Sequence, residues 1–382
     1  MKRRCVHPRR RGDAGLTLIE LLVTIIVASV VASSTFVFFA GQQRIYDTQT
    51  KVLTIQQNLW MAMEVMSRNL RAAGTGMLGC QDNVSSLTGS TTPLAGIRAW
   101  YNGLGTIRIP PLHIKNGAAG APDEITFNYF PYTSGNWADG RLDAEIKTTY
   151  NGSNIKTTDS SPFREGEFIV LMDITTNPPG GDRGCTMFQV SEIAGASDLV
   201  IVNPSSPWNA TGHAPGLVPY DYKPENTGIR NLGTLTSVRF FIDSTDAPAR
   251  APRLMVDDFS DGAPAQVLAE GIEDMQIAFS CDLQPAGAPD GQLTEGTNTA
   301  TRLTDEWTYN VAGDVVPAAC GMPAAIRITL IGRSLTTETN LMGTGASGTA
   351  TASFKPAAED GVAGATDQFR HRVLTTTVFP RN

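Results

Sequence analysis

Residues 15–40 read GLTLIELLVTIIVASVVASSTFVFFA, and this stretch decides how the chain is organised. From Leu16 to Ala40 the residues are apolar or small, and Glu20 is the one charged residue among them. A helix of about 20 apolar residues spans the hydrocarbon core of a bilayer, so this run is long enough to cross one. The stretch therefore predicts a membrane-spanning helix over residues 16–40.

The charge of the chain is unevenly distributed around this run. Residues 1–15 carry a net charge of +5, and because the whole chain of 382 residues carries −7, residues 16–382 carry −12. The basic residues that precede Asp13 are Lys2, Arg3, Arg4, Arg9, Arg10 and Arg11. By the positive-inside rule the amino terminus stays cytoplasmic and the residues after about 40 are exported. An acidic exported body argues against direct binding of nucleic acid.

Two ordinary export signals are the alternatives at this point. A secretory signal peptide has a shorter apolar core, which a small-residue cleavage site follows. The run over residues 16–40 is too long for that, and its small residues are scattered through it. A simple signal anchor, which no peptidase removes, remains open on these grounds.

The junction Gly15-Leu16-Thr17-Leu18-Ile19-Glu20 resembles the prepilin cleavage motif of type IV pilins and of type II secretion pseudopilins. The resemblance implies that a prepilin peptidase cuts after Gly15 and that the new amino terminus, Leu16, is N-methylated. Leu16 departs from the Phe that is usual in this family. The basic leader of residues 1–15 would be lost, and Glu20 would become the fifth residue of the mature chain.

Glu20 is a candidate assembly residue. A lone carboxylate within a membrane span costs several kcal/mol unless it is paired, so it marks a functional site by default. The resemblance implies that its partner is the terminal amine of a neighbouring subunit and that the pair sets the axial register of a filament. The alternative is a charge near the membrane edge, which reaches the interface and needs no partner.

The helix is expected to continue to residue 73. From Gln42 to Arg71 apolar residues recur mainly at steps of three and four, namely Ile45, Val52, Leu53, Ile55, Leu59, Trp60, Met63, Met66 and Leu70. The distal half of the helix is therefore amphipathic and predicted to pack one face on an exported head. Gly74 and Gly76 would end the helix. With Gly79 they spell GxGxxG, which here follows a helix, so no dinucleotide site is predicted.

Residues 74–382 are predicted to form a β-rich head, which makes the fold class α+β with antiparallel sheets. The candidate strands are Glu124–Phe130, Glu167–Met172, Thr186–Ile193, Leu199–Asn203, Thr236–Ile242, Leu254–Val256, Gly271–Phe279, Ala325–Ile331 and Val373–Phe379. The polar segments between them are expected to be long loops, namely Gln81–Gly120, Tyr132–Pro162, Pro204–Gly233 and Pro285–Trp307.

Several segments resemble the PilW-type minor pilins. They are RNLRAAG (68–74), LAEGIEDMQIAFSCD (268–282), AAIRITLIGRS (324–334) and HRVLTTTVFPRN (371–382), whereas residues 81–235 resemble no family that we can name. The resemblance implies a pilin fold and a subunit that acts in the initiation and at the tip of a type IV pilus. The same segments also fit the GspJ-like minor pseudopilins of type II secretion.

The resemblance also implies the partners and the location. The expected partners are the prepilin peptidase, other minor pilins, the major pilin, the inner-membrane assembly platform and a tip adhesin. The head would lie in the periplasm before assembly and at the pilus or cell surface afterwards. An alternative of another class is an unprocessed, membrane-anchored adhesin or enzyme.

Five cysteines are present, and Cys5 lies in the leader. The remaining four, in an oxidising compartment, predict two disulfides. Cys281 and Cys320 flank consecutive candidate strands and are expected to pair, because such strands are usually neighbours. Cys80 and Cys185 form the second pair, partly by elimination. Unpaired buried thiols are the alternative.

Motifs of catalysis and metal binding are missing from the sequence. It contains no HExxH, GxSxG, Walker A or CxxC pattern, so neither an enzyme, a cofactor nor a zinc site is predicted. Acidic residues gather at Asp257, Asp258 and Asp261, and again at Asp282 and Asp290. Neither group has the spacing of a calcium loop, and both are expected to be solvated turns.

Overall fold

The computed structural model describes most of the helix and the sheets of the head. The described residues are 17–77, 97–101, 105–131, 143–150, 152, 154–174, 185–194, 198–209, 222–245, 251–259, 262–282, 291, 293–295, 306–309, 323–336, 353–356, 358–359, 361, 366–367 and 369–380. By its internal contacts the chain divides into two units, Met1–Thr54 and Ile55–Asn382.

The amino-terminal helix α1 runs from Leu18 to Ala72, over 55 residues. Within the first unit its apolar side chains are exposed; Leu18, for example, is 79% exposed. Within the second unit one face is buried, and its residues recur at steps of three and four: Ile55, Leu59, Ala62, Met63, Met66 and Leu70. The prediction of one long helix agrees with these bounds to within two residues at each end.

The buried face of α1 differs from the predicted one at three positions. Ile45, Leu53 and Trp60 belong to the apolar pattern, but their side chains are exposed, that of Trp60 to 64%. The reason is geometric, because burial begins only at Ile55 and covers a single stripe of the helix. After Ala72 the chain turns at Gly74 and Gly76, which both have positive φ.

The strands of the described residues follow in chain order. They are β1 (Ile97–Tyr101), β2 (Gly105–Ile109), β3 (Leu112–Lys115), β4 (Glu124–Tyr129), β5 (Ala144–Glu145), β6 (Asn154–Lys156), β7 (Phe168–Asp173), β8 (Cys185–Gln189), β9 (Glu192–Ala194), β10 (Leu199–Ile201), β11 (Thr227–Gly233), β12 (Thr236–Asp243), β13 (Arg253–Asp258), β14 (Gln266–Glu270), β15 (Ile272–Ser280), β16 (Trp307–Thr308), β17 (Ala325–Arg333), β18 (Ser353–Phe354), β19 (Thr366–Asp367) and β20 (His371–Val378). A short 3₁₀ helix covers Ala118–Gly120.

Two antiparallel sheets and the distal part of α1 enclose the main core. The five-stranded sheet has the order β14-β13-β12-β4-β3, and the four-stranded sheet has the order β16-β15-β17-β20. Apolar residues from both sheets, such as Phe127, Phe240, Ile277 and Ile328, pack with the buried face of α1 in one cluster. The predicted α+β class, a long helix with antiparallel sheets, is confirmed.

A second set of sheets consists mostly of strands that lie between β4 and β12 in the sequence. β5 to β11, with β1 and β2, form a six-stranded sheet of order β2-β1-β8-β7-β11-β5 and a three-stranded sheet of order β6-β10-β9. These strands contribute to two further cores, one around Phe188 and Tyr222 and one around Met187 and Leu232. The second core also includes Met77 and Phe130. One contact, Arg98 with Thr186, is parallel, which departs from the purely antiparallel expectation.

The predicted loops are partly wrong, because several of them contain strands. β1, β2 and β3 lie within Gln81–Gly120, β5 and β6 within Tyr132–Pro162, and β11 within Pro204–Gly233. β11 reads TGIRNLG, whose glycines and Asn disfavour a strand in isolation. It forms because β7 and β5 pair with it on its two sides, so that tertiary pairing overrides the local preference.

Gly271 stands where β14 ends and β15 begins. Its N–H donates to the Pro252 carbonyl at 2.8 Å, and its own carbonyl accepts the N–H of Arg333 at 2.7 Å. Its φ is +76°, and a Cβ atom there would lie 2.8 Å from the Arg333 carbonyl oxygen. Gly271 therefore satisfies two constraints at once, a left-handed backbone and close contact with a neighbouring main chain.

The first prediction concerns Gly271→Ala. It should lower the free energy of unfolding by about 2–4 kcal/mol, because it adds left-handed strain and a clash with a backbone atom that cannot move aside. Gly166→Ala is the matched control: Gly166 has a φ of +84° but no atom within 4 Å of its Cβ position, so about 1–2 kcal/mol is expected. Urea denaturation of the full chain in detergent measures the free energy of unfolding of both variants. Equal decreases in the two variants would contradict the role of the contact between Gly271 and the Arg333 carbonyl.

Candidate functional site

The start of α1 is the part of the candidate site that the structure describes. Gly15 and Leu16 lie outside the described residues, so the predicted cleavage site stays a prediction. Thr17 precedes the helix, and its Oγ1 accepts the backbone N–H of Glu20 at 3.3 Å. The carbonyl of Thr17 accepts the N–H of Leu21 at 3.1 Å. Thr17 is thus the N-cap of α1.

Thr17 and Glu20 have the spacing of a capping box, in which a Thr and a Glu three residues later satisfy the free N–H groups of the first helical turn. The T-x-x-E pattern of residues 17–20 is the sequence signal for this cap. Glu20 is exposed and is the acidic residue of the first turn. Its negative charge therefore lies at the positive end of the helix dipole, which stabilises it.

The hydroxyl groups in the apolar part of α1 are satisfied by the helix itself. Thr24, Ser29, Ser34 and Thr35 each donate to a carbonyl three or four residues earlier, at 2.8–2.9 Å. The free-energy cost of placing a hydroxyl group in hydrocarbon is lower when the hydroxyl already donates a hydrogen bond within its own helix than when it has no partner. These residues therefore do not oppose insertion of the run into a membrane.

The apolar part of α1 is long and apolar enough to cross a membrane. None of its most apolar 18-residue window is buried within the structure. Large apolar side chains that are exposed around the whole circumference of a helix need lipid or other helices as their surroundings. Together with the prepilin motif, this supports membrane anchoring.

Arg327, in β17, is a charged residue of the described head that binds two carboxylates at once. Its guanidinium donates to both carboxylate oxygens of Glu359, at 2.8 and 2.7 Å, and to both of Glu295, at 2.9 and 2.7 Å. It also lies 4.3 Å from the ring centroid of Trp307. Burial lowers the pKa of Arg327, but the two carboxylates outweigh burial and raise it. Arg327 thus connects Glu295 and Glu359 to β17, and four of its five N–H groups are used in these bonds.

The two acidic clusters that were expected to lie in solvated turns contain residues with hydrogen-bond partners in the head. Asp257 lies in β13 and accepts a hydrogen bond from Arg239 at 2.9 Å, and Asp282 accepts the N–H of Gly291 at 2.9 Å. Asp261 and Asp290 lie outside the described residues. Among the residues that the structure describes, no group of three or more His, Cys, Asp or Glu side chains could hold a metal ion.

The described histidines also have structural surroundings. His371, at the start of β20, lies 3.0 Å from Glu273. Burial lowers the pKa of His113 more than Glu124 raises it, so its ring is neutral at pH 7. Neither arrangement includes a nucleophile with a base beside it.

The described cysteines are both buried and disulfide-bonded. Cys185 begins β8, and Cys281 follows the last residue of β15. Cys5, Cys80 and Cys320 lie outside the described residues, so the pairing of Cys80 with Cys185 and of Cys281 with Cys320 stays a prediction.

Comparison with known proteins gives two matches, one at each end of the chain. Residues 239–382 match the family model of the type IV pilus-assembly protein W, and residues 10–36 match that of the prokaryotic N-terminal methylation motif. No curated protein and no solved structure matches the chain significantly.

The two matches correspond to separate parts of the structure. The first begins within β12 and extends over β13 to β20, and thus includes the whole four-stranded sheet. The second includes Gly15, Leu16, Glu20 and the first turns of α1. The six-stranded and three-stranded sheets lie outside both matches.

The methylation motif implies processing by a prepilin peptidase and assembly with other pilins, and pilin-family domains point to a structural, non-enzymatic protein. These two matches, together with a long apolar helix and an antiparallel β-rich head, are consistent with a PilW-type, prepilin-like protein and support a relation to the minor pilins of type IV pili.

Proposed function

We propose that this chain is a minor pilin that takes part in initiating and assembling a type IV pilus and that lies at the tip of the filament. The observation that carries the proposal is the presence of both matches in one chain, the methylation motif at residues 10–36 and the pilus-assembly family at residues 239–382. The second match names pilus assembly, which favours the pilus over a GspJ-like role in type II secretion.

The proposed order of events follows from the amino-terminal residues. The basic leader of residues 1–15 stays cytoplasmic, residues 16–40 span the inner membrane, and the head of residues 74–382 is exported to the periplasm. The prepilin peptidase then cuts after Gly15, and Leu16 is N-methylated. On assembly, Glu20 pairs with the terminal amine of a neighbouring pilin, and the subunit moves to the pilus surface.

The inserted sheets favour the tip over the shaft. Residues 130–235 lie outside the matched family region and contribute seven strands and residues of two further cores. A subunit in a filament shaft is surrounded by neighbours, so extra bulk on its head restricts packing. A tip subunit has fewer neighbours and tolerates the insertion. The proposed partners there are other minor pilins, the major pilin, the inner-membrane assembly platform and a tip adhesin.

The second prediction concerns processing at Gly15. Gly15→Ala should still be cut, whereas Gly15→Glu should block cutting, because the peptidase must approach the backbone beside a small side chain. Mass spectrometry of the mature amino-terminal peptide should identify N-methylated Leu16. A mature start near residues 35–45 would mean signal-peptidase cleavage. An intact leader in the wild-type chain would mean a membrane-anchored adhesin or enzyme that is not processed.

The third prediction separates the charge of Glu20 from its place in the capping box. Glu20→Ala and Glu20→Gln should both be processed and inserted, but each should lower incorporation into sheared filaments by at least roughly tenfold, because the neighbour's amine is left unpaired. Gln retains the capping function, which Glu and Gln share. Quantitative immunoblotting of pilus fractions measures incorporation.

The control for Glu20 is Thr17→Ala, which removes the N-cap and keeps the carboxylate. It should lower incorporation much less than either Glu20 variant. If Glu20→Gln incorporates normally and only Glu20→Ala fails, the role of Glu20 is capping and the register role is wrong.

The fourth prediction concerns the disulfides. Peptide mapping of the unreduced mature protein should recover Cys281 linked to Cys320 and Cys80 linked to Cys185. The first bridge closes a loop of about 40 residues, and its removal should cost on the order of 3–4 kcal/mol of stability in the chain-entropy model. Recovery of Cys80 linked to Cys281 or to Cys320 would contradict both pairings.

A further inference from the structure

The strand β20 forms one edge of the four-stranded sheet. β17 pairs with it along its whole length of eight residues, from Ile326 with Val378 to Arg333 with His371. The sheet order β16-β15-β17-β20 places no described strand on its other side. β20 is therefore an open edge within the described part of the chain, and it lies inside the region matched by the pilus-assembly family.

The ladder between β17 and β20 identifies the backbone groups that face outward. The N–H of Ser334 donates to the carbonyl of Arg370 at 2.9 Å, so this is a hydrogen-bonded pair. In an antiparallel ladder such pairs alternate with pairs that do not exchange bonds. Hence Val373, Thr375 and Thr377 direct their N–H and C=O groups away from β17. Arg333 agrees with this alternation, since its N–H donates to Gly271 on the opposite side.

The outward groups of these three residues have no hydrogen-bond partner among the described residues. They amount to three donors and three acceptors at alternate positions on one line. An extended chain laid beside β20 would satisfy them all through main-chain bonds, and strand addition to an open sheet edge uses this geometry.

The centre of the edge lacks the features that usually prevent such pairing, and Arg372 and Pro380 flank that centre. Natural proteins protect an exposed edge with Lys, Pro, a bulge or a very short strand. Residues 373–379 read VLTTTVF and contain neither a charge nor a proline. The pairing of β17 with β20 shows no register shift. Val373 is 45% exposed and Phe379 64%, and Thr375 and Thr377 are exposed between them.

A positive charge marks one end of the edge. Arg372 is exposed, and among the described residues it forms no ion pair; one of its nitrogens donates to the carbonyl of His371 at 3.3 Å. Arg370 lies two residues earlier and is partly exposed. A strand that runs beside β20 thus meets an uncharged centre and a basic end. An acidic residue at that end of the incoming strand would complement Arg372.

We propose that the open edge of β20 binds an extended segment of a different polypeptide, which adds to the four-stranded sheet as a further strand. The segment has β-branched or aromatic residues at alternate positions, no charge opposite Val373–Phe379, and an acidic residue opposite Arg372. The proposal goes beyond filament assembly through Glu20 and does not depend on it, because the edge belongs to the head.

The experiment places a photo-cross-linking residue at Phe379 of the full chain in cells that assemble the filament. Its control is the same residue at Glu165, which is exposed in the turn before β7. The linked segment is mapped by mass spectrometry. We expect a segment of another polypeptide with the stated pattern, linked at Phe379 and not at Glu165.

A second variant tests whether backbone pairing holds the partner. Thr375→Pro removes an outward N–H and no bond of the ladder to β17, so cross-linking at Phe379 should fall at least tenfold. If that chain does not fold, Thr375→Lys with Thr377→Lys places charges on the edge and should have the same effect. A synthetic peptide of the mapped sequence should bind the purified full chain, and more weakly when its acidic residue is replaced by Lys.

Each other outcome overturns the proposal. Linkage to a second copy of this chain would mean self-pairing, and linkage to another segment of the same chain would mean that the edge is already covered. Slow amide exchange at Val373, Thr375 and Thr377 in the purified protein would also show that it is covered. Undiminished cross-linking in both edge variants would mean that the contact does not use the strand edge.

Discussion

The packing of one face of α1 on β17 is the contact on which the rest of the head depends. At Gly332 a Cβ atom would lie 2.9 Å from Cγ2 of Ile55 and 3.3 Å from Cγ of Leu59, so the strand approaches the helix closely only because no side chain stands between them. That approach lets the stripe from Ile55 to Leu70 reach apolar residues of both antiparallel sheets. The helix and the two sheets thereby share one core.

The same helix has two halves whose polar groups are satisfied in different ways. Before residue 40 the hydroxyls of Thr24, Ser29 and Ser34 donate to carbonyls of their own helix. In the head unit, by contrast, the amide of Asn58 donates to the carbonyl of Glu270 at 2.9 Å, 212 residues away in the chain. The first pattern leaves these hydroxyl groups with no need of a protein partner, and the second fixes a helix to a particular fold.

The sequence predicts those parts of the structure whose cause is local. The apolar run, the cleavage motif and the period of the distal helix are all contained within short segments, and the corresponding helix and family matches are present. β11 could not be found in this way, because the side-chain amide of its buried Asn231 donates to Pro162 and Glu167, about 65–70 residues away. The exposure of Trp60 is likewise set by where the sheets lie and not by the helical period.

The inserted sheets are best understood from the strands that enclose them. β4 and β12 pair directly, from Ile125 with Phe240 to Tyr129 with Thr236, although about 105 residues separate the two ends that meet. A short turn would be enough to connect two antiparallel neighbours such as these. A longer connection costs more entropy on closure, so it needs another reason. The connection instead contains strands that contribute to two further cores, around Tyr222 and Met187. The main core can therefore keep its pairing while the insertion changes, and most of that core's strands, β13 to β15, β17 and β20, lie within the matched region. In a head built in this way, the two sheets of the main core can stay the same while the added sheets acquire a surface that is particular to this chain.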